Sequence, residues 1–398
     1  MEKVICGYIE ENESINRSHK KWLQVLIVCF YFLIAFFEPY LNGVVGSITK
    51  YYIFFLAFCI FISEKPVEIN WFVLPFFFWF ALKVISLVNV DNLYVYETHI
   101  NSHIGMLMLL FVFGTITPSD YLIDSIILTE LVGSAIIGVL SLFFKHPYHG
   151  TVSERQVLFI FGQEADPNNQ AAFLLVGIAV ALYYIFKKKH IAISCVTILI
   201  NAYSCFLTGS RGGFLGMLCI GLIFIFACIR EYRLKSLKWI AATVIIVSII
   251  YIVTVNYLPK DISERVFGFK SYEGGSDRDV IWSNAWELFS SDANFLFGAG
   301  WGAYYGYNGL YFAVHNTFLS VLCDVGILGF LLFFIPITIM GGRLWKARCY
   351  SPVFITVASF VPSFFIEAIN KRFFWNAIFL LLICYINIFQ NEKGGNEI

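Results

Sequence analysis

The chain has 398 residues, of which 59% are apolar, 19% aromatic and only 14% charged, and its mean hydropathy is +0.75. A soluble domain carries roughly a quarter of its residues as charges, so an ordinary water-soluble fold is excluded. Basic and acidic side chains balance at 27 each, and no basic face suited to nucleic acid is visible.

Residues 1–21 are polar and of mixed charge, and no small-residue cleavage site follows the first apolar run. That run therefore reads as an anchor and not as a removed leader. Apolar runs near the length that crosses a hydrocarbon core of about 30 Å as a helix then recur along the chain. The expected spans are 22–40, 44–62, 70–88, 103–117, 121–144, 169–186, 190–207, 213–229, 239–257, 316–339, 353–369 and 373–390. Long continuous runs favour helices over a barrel, because the backbone in lipid must satisfy its own hydrogen bonds. The expectation is an all-α polytopic protein, a single integral membrane domain over 1–398 with about twelve spans and no internal repeat. Eight of the ten cysteines (Cys29, Cys59, Cys195, Cys205, Cys219, Cys228, Cys323 and Cys384) lie inside apolar runs without metal-ligand spacing and read as small core residues.

Lys and Arg in the short loops set orientation. With the N-terminus inside, sixteen basic residues fall in cytoplasmic segments and nine in outer ones, counted from the sequence. Both termini, 1–21 and the tail 391–398, are thus expected in the cytoplasm. Three outer segments share one face: 145–168, the turn Thr208-Gly209-Ser210-Arg211-Gly212-Gly213, and a large loop over 258–315. Against the general trend, arginines concentrate in these three.

In the first, Arg155 precedes Asp166-Pro167-Asn168, which reads as a turn and helix N-cap. Capping and direct substrate contact both stand as roles for Asp166 and Asn168. In the second, Arg211 opens a span beside two glycines. Its fork suits phosphate oxygens, and the glycines would let backbone amides approach the same anion; the competing role is snorkelling to lipid headgroups. In the third, Ser276-Asp277-Arg278-Asp279 looks like a capping box, and Trp282, Trp286 and Phe289 follow at i, i+4 and i+7. That stripe suits the lipid–water interface or seals the loop onto the bundle. Gly298-Ala299-Gly300-Trp301-Gly302 lacks strand–helix alternation around it, so it reads as a tight re-entry turn and nucleotide cofactors are set aside. His315-Asn316 opens the next span, where an imidazole suits proton transfer near neutrality or a cap. Intramembrane Lys83, Glu130 and Asp324 read as helix-packing ties or transport sites.

The order Asp166-Pro167-Asn168, Ser210-Arg211-Gly212-Gly213, Arg278 before an Ile-Trp helix, Gly298-Ala299-Gly300-Trp301-Gly302 and His315-Asn316-Thr317-Phe318-Leu319 resembles the O-antigen ligase and O-antigen polymerase superfamily, over about residues 150–335. The resemblance implies a GT-C-like bacterial inner-membrane glycosyltransferase, acting on undecaprenyl-pyrophosphate-linked oligosaccharide at the outer face, in O-antigen, lipopolysaccharide or capsule synthesis. It implies no cofactor and no metal, with arginines holding the pyrophosphate in place of a divalent cation. Carried onto matching positions, Arg211 and Arg278 bind the leaving group and His315 is the general base. Arg155, Arg265, Asp166, Asn168 and Asn316 are expected around the substrate. Membrane lipids, a flippase and a chain-length regulator are the expected partners. Polymerase, ligase and a flippase of lipid-linked sugars all remain open, the enzyme being favoured because cationic residues crowd the outer face and only Lys50 and Lys83 fall inside spans.

Overall fold

The computed structural model describes residues 2–46, 48–63, 69–149, 155–233, 260–267, 278–309 and 311–389, with single positions 241, 248, 252 and 256. Most of the expected span 239–257, the pair Ser276-Asp277 and the tail 391–398 lie outside the described residues.

Thirteen α-helices are described: α1 (Glu2–Val45), α2 (Ile48–Ser63), α3 (Leu74–Ile85), α4 (Tyr94–Thr115), α5 (Asp120–Phe143), α6 (Pro167–Phe186), α7 (Ile191–Leu207), α8 (Arg211–Tyr232), α9 (Lys260–Phe267), α10 (Arg278–Ser290), α11 (Thr317–Lys346), α12 (Tyr350–Phe360) and α13 (Arg372–Phe389). Among the described residues, seven helical stretches are long and apolar enough to cross a membrane, and Thr49–Ile62, Ile191–Leu207 and Tyr350–Phe364 are shorter apolar helices. The chain is therefore a polytopic helical membrane protein. The long spans number fewer than the twelve expected. Three expected spans are short helices, the expected 239–257 span is largely undescribed, and α4 carries Glu97, His99 and His103 in its first half, which lowers its hydropathy.

The expectation of an all-α chain needs correcting. Between α5 and α6 lies a three-stranded antiparallel sheet, β1 (Lys145–Pro147), β2 (Gln156–Ile160) and β3 (Gln163–Glu164), in that spatial order. The run Gln156-Val157-Leu158-Phe159-Ile160 is too short to span a bilayer and is rich in strand-forming side chains. Buried Leu158, packed into the main core, seats the sheet on the bundle.

Two helices form the centre. α6 and α13 bury 83% of their apolar windows, against 28% for the stretch containing α3. Small and polar residues set the closest approaches, as expected where lipid offers no hydrophobic drive between helices. Asn201 of α7 donates to Ser134 Oγ of α5 and to the Leu174 carbonyl of α6, and Ser204 donates to the Gly138 carbonyl. All described cysteines are free, as the sequence suggested.

Candidate functional site

The three arginine-bearing segments meet at the end of the bundle where α6, α8 and α11 begin. Each of those helices opens on a polar cap. Asp166 accepts from the Asn168 and Asn169 amides with Pro167 at the first helical position, Ser210 accepts from the Gly213 amide, and Asn316 accepts from the Phe318 and Leu319 amides. These bonds satisfy amides that a helix start otherwise leaves unpaired.

Asp166 is thus the cap the sequence suggested, but Asn168 is not. Its Oδ1 accepts from an Arg155 terminal nitrogen at 3.1 Å and from Ser210 Oγ at 2.9 Å. It ties the sheet to the α7–α8 turn. Arg155 is 4% exposed, and its Nε also donates to the Thr208 carbonyl at 2.7 Å. Gly209, at φ +60°, makes the turn possible. A Cβ there would lie 3.3 Å from Arg265 Cδ and 3.4 Å from Arg155 Cγ. Arg265, on α9, donates to the Gly209 carbonyl at 3.2 Å. Two arginines therefore press on one glycine.

Arg211 is exposed at the first position of α8. The glycines beside it have a different role from the one the sequence suggested. A Cβ on Gly213 would stand 2.8 Å from Cys205 Sγ and 2.9 Å from Ala171 Cβ, and one on Gly212 would stand 2.8 Å from the Phe365 ring. They permit close helix packing, and the Gly213 amide is taken up by Ser210.

α10 begins at Arg278, and its buried face is Ile281, Ala285, Leu288 and Phe289. Trp286 is exposed while Phe289 is buried and Trp282 packs against the same cluster, so the Trp282–Trp286–Phe289 stripe is split between the two environments. Trp282 has another use: its indole nitrogen donates to the Val314 carbonyl at 3.1 Å and its ring lies 6.3 Å from Phe365. That bond fixes the backbone just before His315, which is held at φ +53°. A histidine in the left-handed region is uncommon and carries some strain. Behind it, Thr317 donates to the Ile366 carbonyl and accepts from the Ala368 amide, and Ser320 donates to Glu367.

Electrostatics link these groups into one cluster. Burial, then the neighbouring Arg265, lower the Arg155 pKa to about 10, with Asp166 opposing. Arg278 is lowered by burial and by Arg265 and Arg211, again opposed by Asp166. His315 is exposed at its surface yet crowded by protein. Its pKa falls below 6.5, first from lost solvation and then from the Arg278 charge, while Asp166 raises it. So Arg155, Arg211, Arg265, Arg278, Asp166 and His315 feel one another, with Asn168 and Asn316 in the frame. Four guanidinium groups, with Asp166 the carboxylate that acts on Arg155, Arg278 and His315, make this end of the bundle electropositive and suited to an anion. An imidazole held neutral beside it can accept a proton.

Two clusters were less visible from the sequence. Lys83 of α3 pairs with Asp324 of α11 at 3.1 Å and lies 3.4 Å from His103 Nε2 and 4.5 Å from the Trp301 ring centre. Glu130 is contacted by Asn376 at 3.5 Å. Each acidic group thus meets a polar side chain of another helix. The second cluster, His146, His149 and Glu164 on the small sheet, was not singled out at all. An apolar groove of about 720 Å³ runs between α2, α3 and α4, lined by Phe54, Phe58, Phe77, Ile104 and Phe111 among others; none of the arginines lies on those helices.

The described residues thus form a polytopic membrane bundle that gathers arginines and one imidazole at the mouths of its helices. Residues 196–334 match the family model Wzy_C, described as O-antigen ligase, and this match supports membership of the O-antigen ligase and polymerase superfamily. It covers α7, α8, the large loop and the first half of α11, and with them Arg211, Arg265, Arg278 and His315. No curated protein matches the chain.

Proposed function

We propose that the chain is a glycosyltransferase that polymerises undecaprenyl-pyrophosphate-linked oligosaccharide repeat units at the outer face of the bacterial cytoplasmic membrane, without a metal. The observation that carries the reading is the convergence of Arg155, Arg211, Arg265 and Arg278 beside a neutral-leaning His315. In the transfer, an acceptor sugar hydroxyl attacks the anomeric carbon of the donor. The carbon–oxygen bond to the pyrophosphate breaks, and lipid pyrophosphate leaves. His315 takes the hydroxyl proton; Arg211 and Arg278 stabilise the charge that develops on the leaving group. Fixed cations need no reorganisation at that moment, and this makes such stabilisation effective. Arg155 and Arg265, both bonded to backbone carbonyls of the α7–α8 turn, hold that turn and add to the positive potential around the leaving group. Asp166 and Asn316 are bound to helix amides and act through position, and Asn168 holds Arg155 and Ser210 together.

The description of the matched family favours a second reading, transfer of the finished glycan to an acceptor by a ligase. A flippase has less support, because buried Lys83 is paired with Asp324. The test is His315→Ala expressed in a deletion strain, with insertion checked by fractionation. Loss of glycan extension with normal insertion supports catalysis; normal chain length sinks it. In the deletion strain itself, single-repeat products indicate a polymerase and accumulated lipid-linked polymer a ligase.

A further inference from the structure

The short sheet carries a second constellation of chemistry-bearing residues, independent of the transfer reaction. In antiparallel strands, directly paired residues point to the same face, and so do residues two apart on one strand. His146 pairs with Val157, and Glu164 pairs with Phe159. Val157 and Phe159 are two apart, so the register alone brings His146 and Glu164 to one face from opposite edges of the sheet. His149 follows three residues after His146, and its ring stacks on that of His146 at 4.8 Å between centroids.

One potential ligand atom from each of the three side chains lies within 4.8 Å of the others. His146 Nδ1 sits 2.8 Å from the Pro147 carbonyl, which can only accept. Nδ1 must therefore carry the hydrogen, leaving a lone pair on Nε2. This is the orientation that metal-bound histidines take from their carbonyl neighbours. His149 Nδ1 lies 3.1 Å from Glu164 Oε2. A proton lies between those atoms, in a position a cation can take.

The geometry points to a divalent zinc-type site formed by His146, His149 and Glu164, with water completing the shell. Two imidazoles and a carboxylate match the nitrogen and oxygen donors that Zn2+ takes at about 2.0–2.2 Å. Tetrahedral bonds of that length separate ligand atoms by roughly 3.3 Å, which His149 and Glu164 already meet at 3.1 Å, so the adjustment needed is their approach to His146, by about 1 Å. His149 is 70% exposed and Glu164 sits at the surface edge, so rotation about side-chain bonds achieves this without moving the sheet. A bound ion would staple β1 and the following turn to β3 across β2. The Tyr148 amide donates to the Arg155 carbonyl at 2.8 Å, so the staple lies on the hairpin that presents Arg155.

The experiment uses the full chain, purified in detergent without a polyhistidine tag, and titrated with Zn2+ and separately with Co2+. We expect one equivalent of Zn2+ per chain bound at low-micromolar affinity, with visible Co2+ absorption of a low-coordinate site. His149→Ala and Glu164→Gln should each weaken binding about 10- to 100-fold and remove the Zn2+-dependent rise in melting temperature that preferential binding to the folded state produces. His315→Ala should bind Zn2+ as the wild type does. Absence of one-equivalent binding, or equal affinity in wild type and His149→Ala, overturns the assignment. Glycosyl transfer that fails while zinc binding holds, or the reverse, separates this site from the function proposed above.

Discussion

Buried Lys83 and Asp324 give the most direct test of what holds the large loop to the bundle. Their side chains are 2% and 6% exposed and 3.1 Å apart. At that separation, with an effective dielectric near 20, the attraction is about 5 kcal/mol. Removing one member leaves the other charge buried and uncompensated, a loss of roughly 3–5 kcal/mol. Asp324→Asn keeps the oxygen that accepts the Gly302 amide at 2.9 Å, so it isolates the charge. Lys83→Met keeps most of the apolar stem packed on Trp79 and Trp301. Each single variant should lose about 3–5 kcal/mol, and the double variant Lys83→Met/Asp324→Asn should recover most of it, because neither charge is then buried alone. Unfolding in mixed micelles titrated with SDS, followed by tryptophan fluorescence, measures all four corners of the cycle. Additive losses in the double variant would show that the two side chains do not act as a pair, and the account of the loop anchor would fall.

Three further outcomes follow from the site. If His315 is the base, kcat/KM rises with pH to a plateau: the imidazole must be neutral, and its lowered pKa puts the inflection below 6.5. Arg278→Gln removes one cause of the lowering and should move that inflection upward; an unmoved inflection, in a pH–rate profile of extension in vesicles, refutes the coupling. Asn168→Ala removes the Oδ1 to which Arg155 and Ser210 both donate and should cost about 1–3 kcal/mol of stability, with transfer falling more steeply than melting temperature. Gly209→Ala forces a Cβ into the left-handed region at about 1–2 kcal/mol and against Arg155 and Arg265; donor binding should weaken while membrane insertion stays normal, and unchanged KM would count against both arginines.

What the sequence revealed divides by range. The cap at Asp166 depends on three or four consecutive residues, so its signal was local and legible; the caps at Ser210 and Asn316 are as local but were passed over for the arginine and histidine beside them. The clustering of Arg155, Arg211, Arg265 and Arg278 was legible only as a shared face, since which turns meet is decided by tertiary packing. Asn168 was misread because its position in a cap motif suggested a cap, while Asp166 two residues earlier already serves that helix. The buried face of α10 is Ile281, Ala285 and Leu288 with Phe289, offset by one residue from the Trp282–Trp286 stripe at the same spacing, so the aromatic residues alone do not define it. His146 and His149 stood three apart in plain view. Their third partner, Glu164, is joined only by strand register, which a hydropathy reading of the loop does not supply.

α11 is broken at Gly326, with φ +64° and ψ −168°. The chain at 295–299 fills the break: the Ala299 amide bonds the Cys323 carbonyl, and the Ile327 and Leu328 amides bond the Phe295 and Leu296 carbonyls. A Cβ on Gly298 would strike the Asp324 carbonyl carbon at 2.5 Å, and one on Gly326 would strike the Gly298 nitrogen at 2.6 Å. Two glycines thus let two backbones lie against each other as strands of one splint. The 295–299 stretch of the loop that delivers His315 is therefore welded to the helix it precedes. Any graft of this loop into another bundle must carry the first three turns of α11 with it, or both pieces lose the hydrogen bonds that shape them.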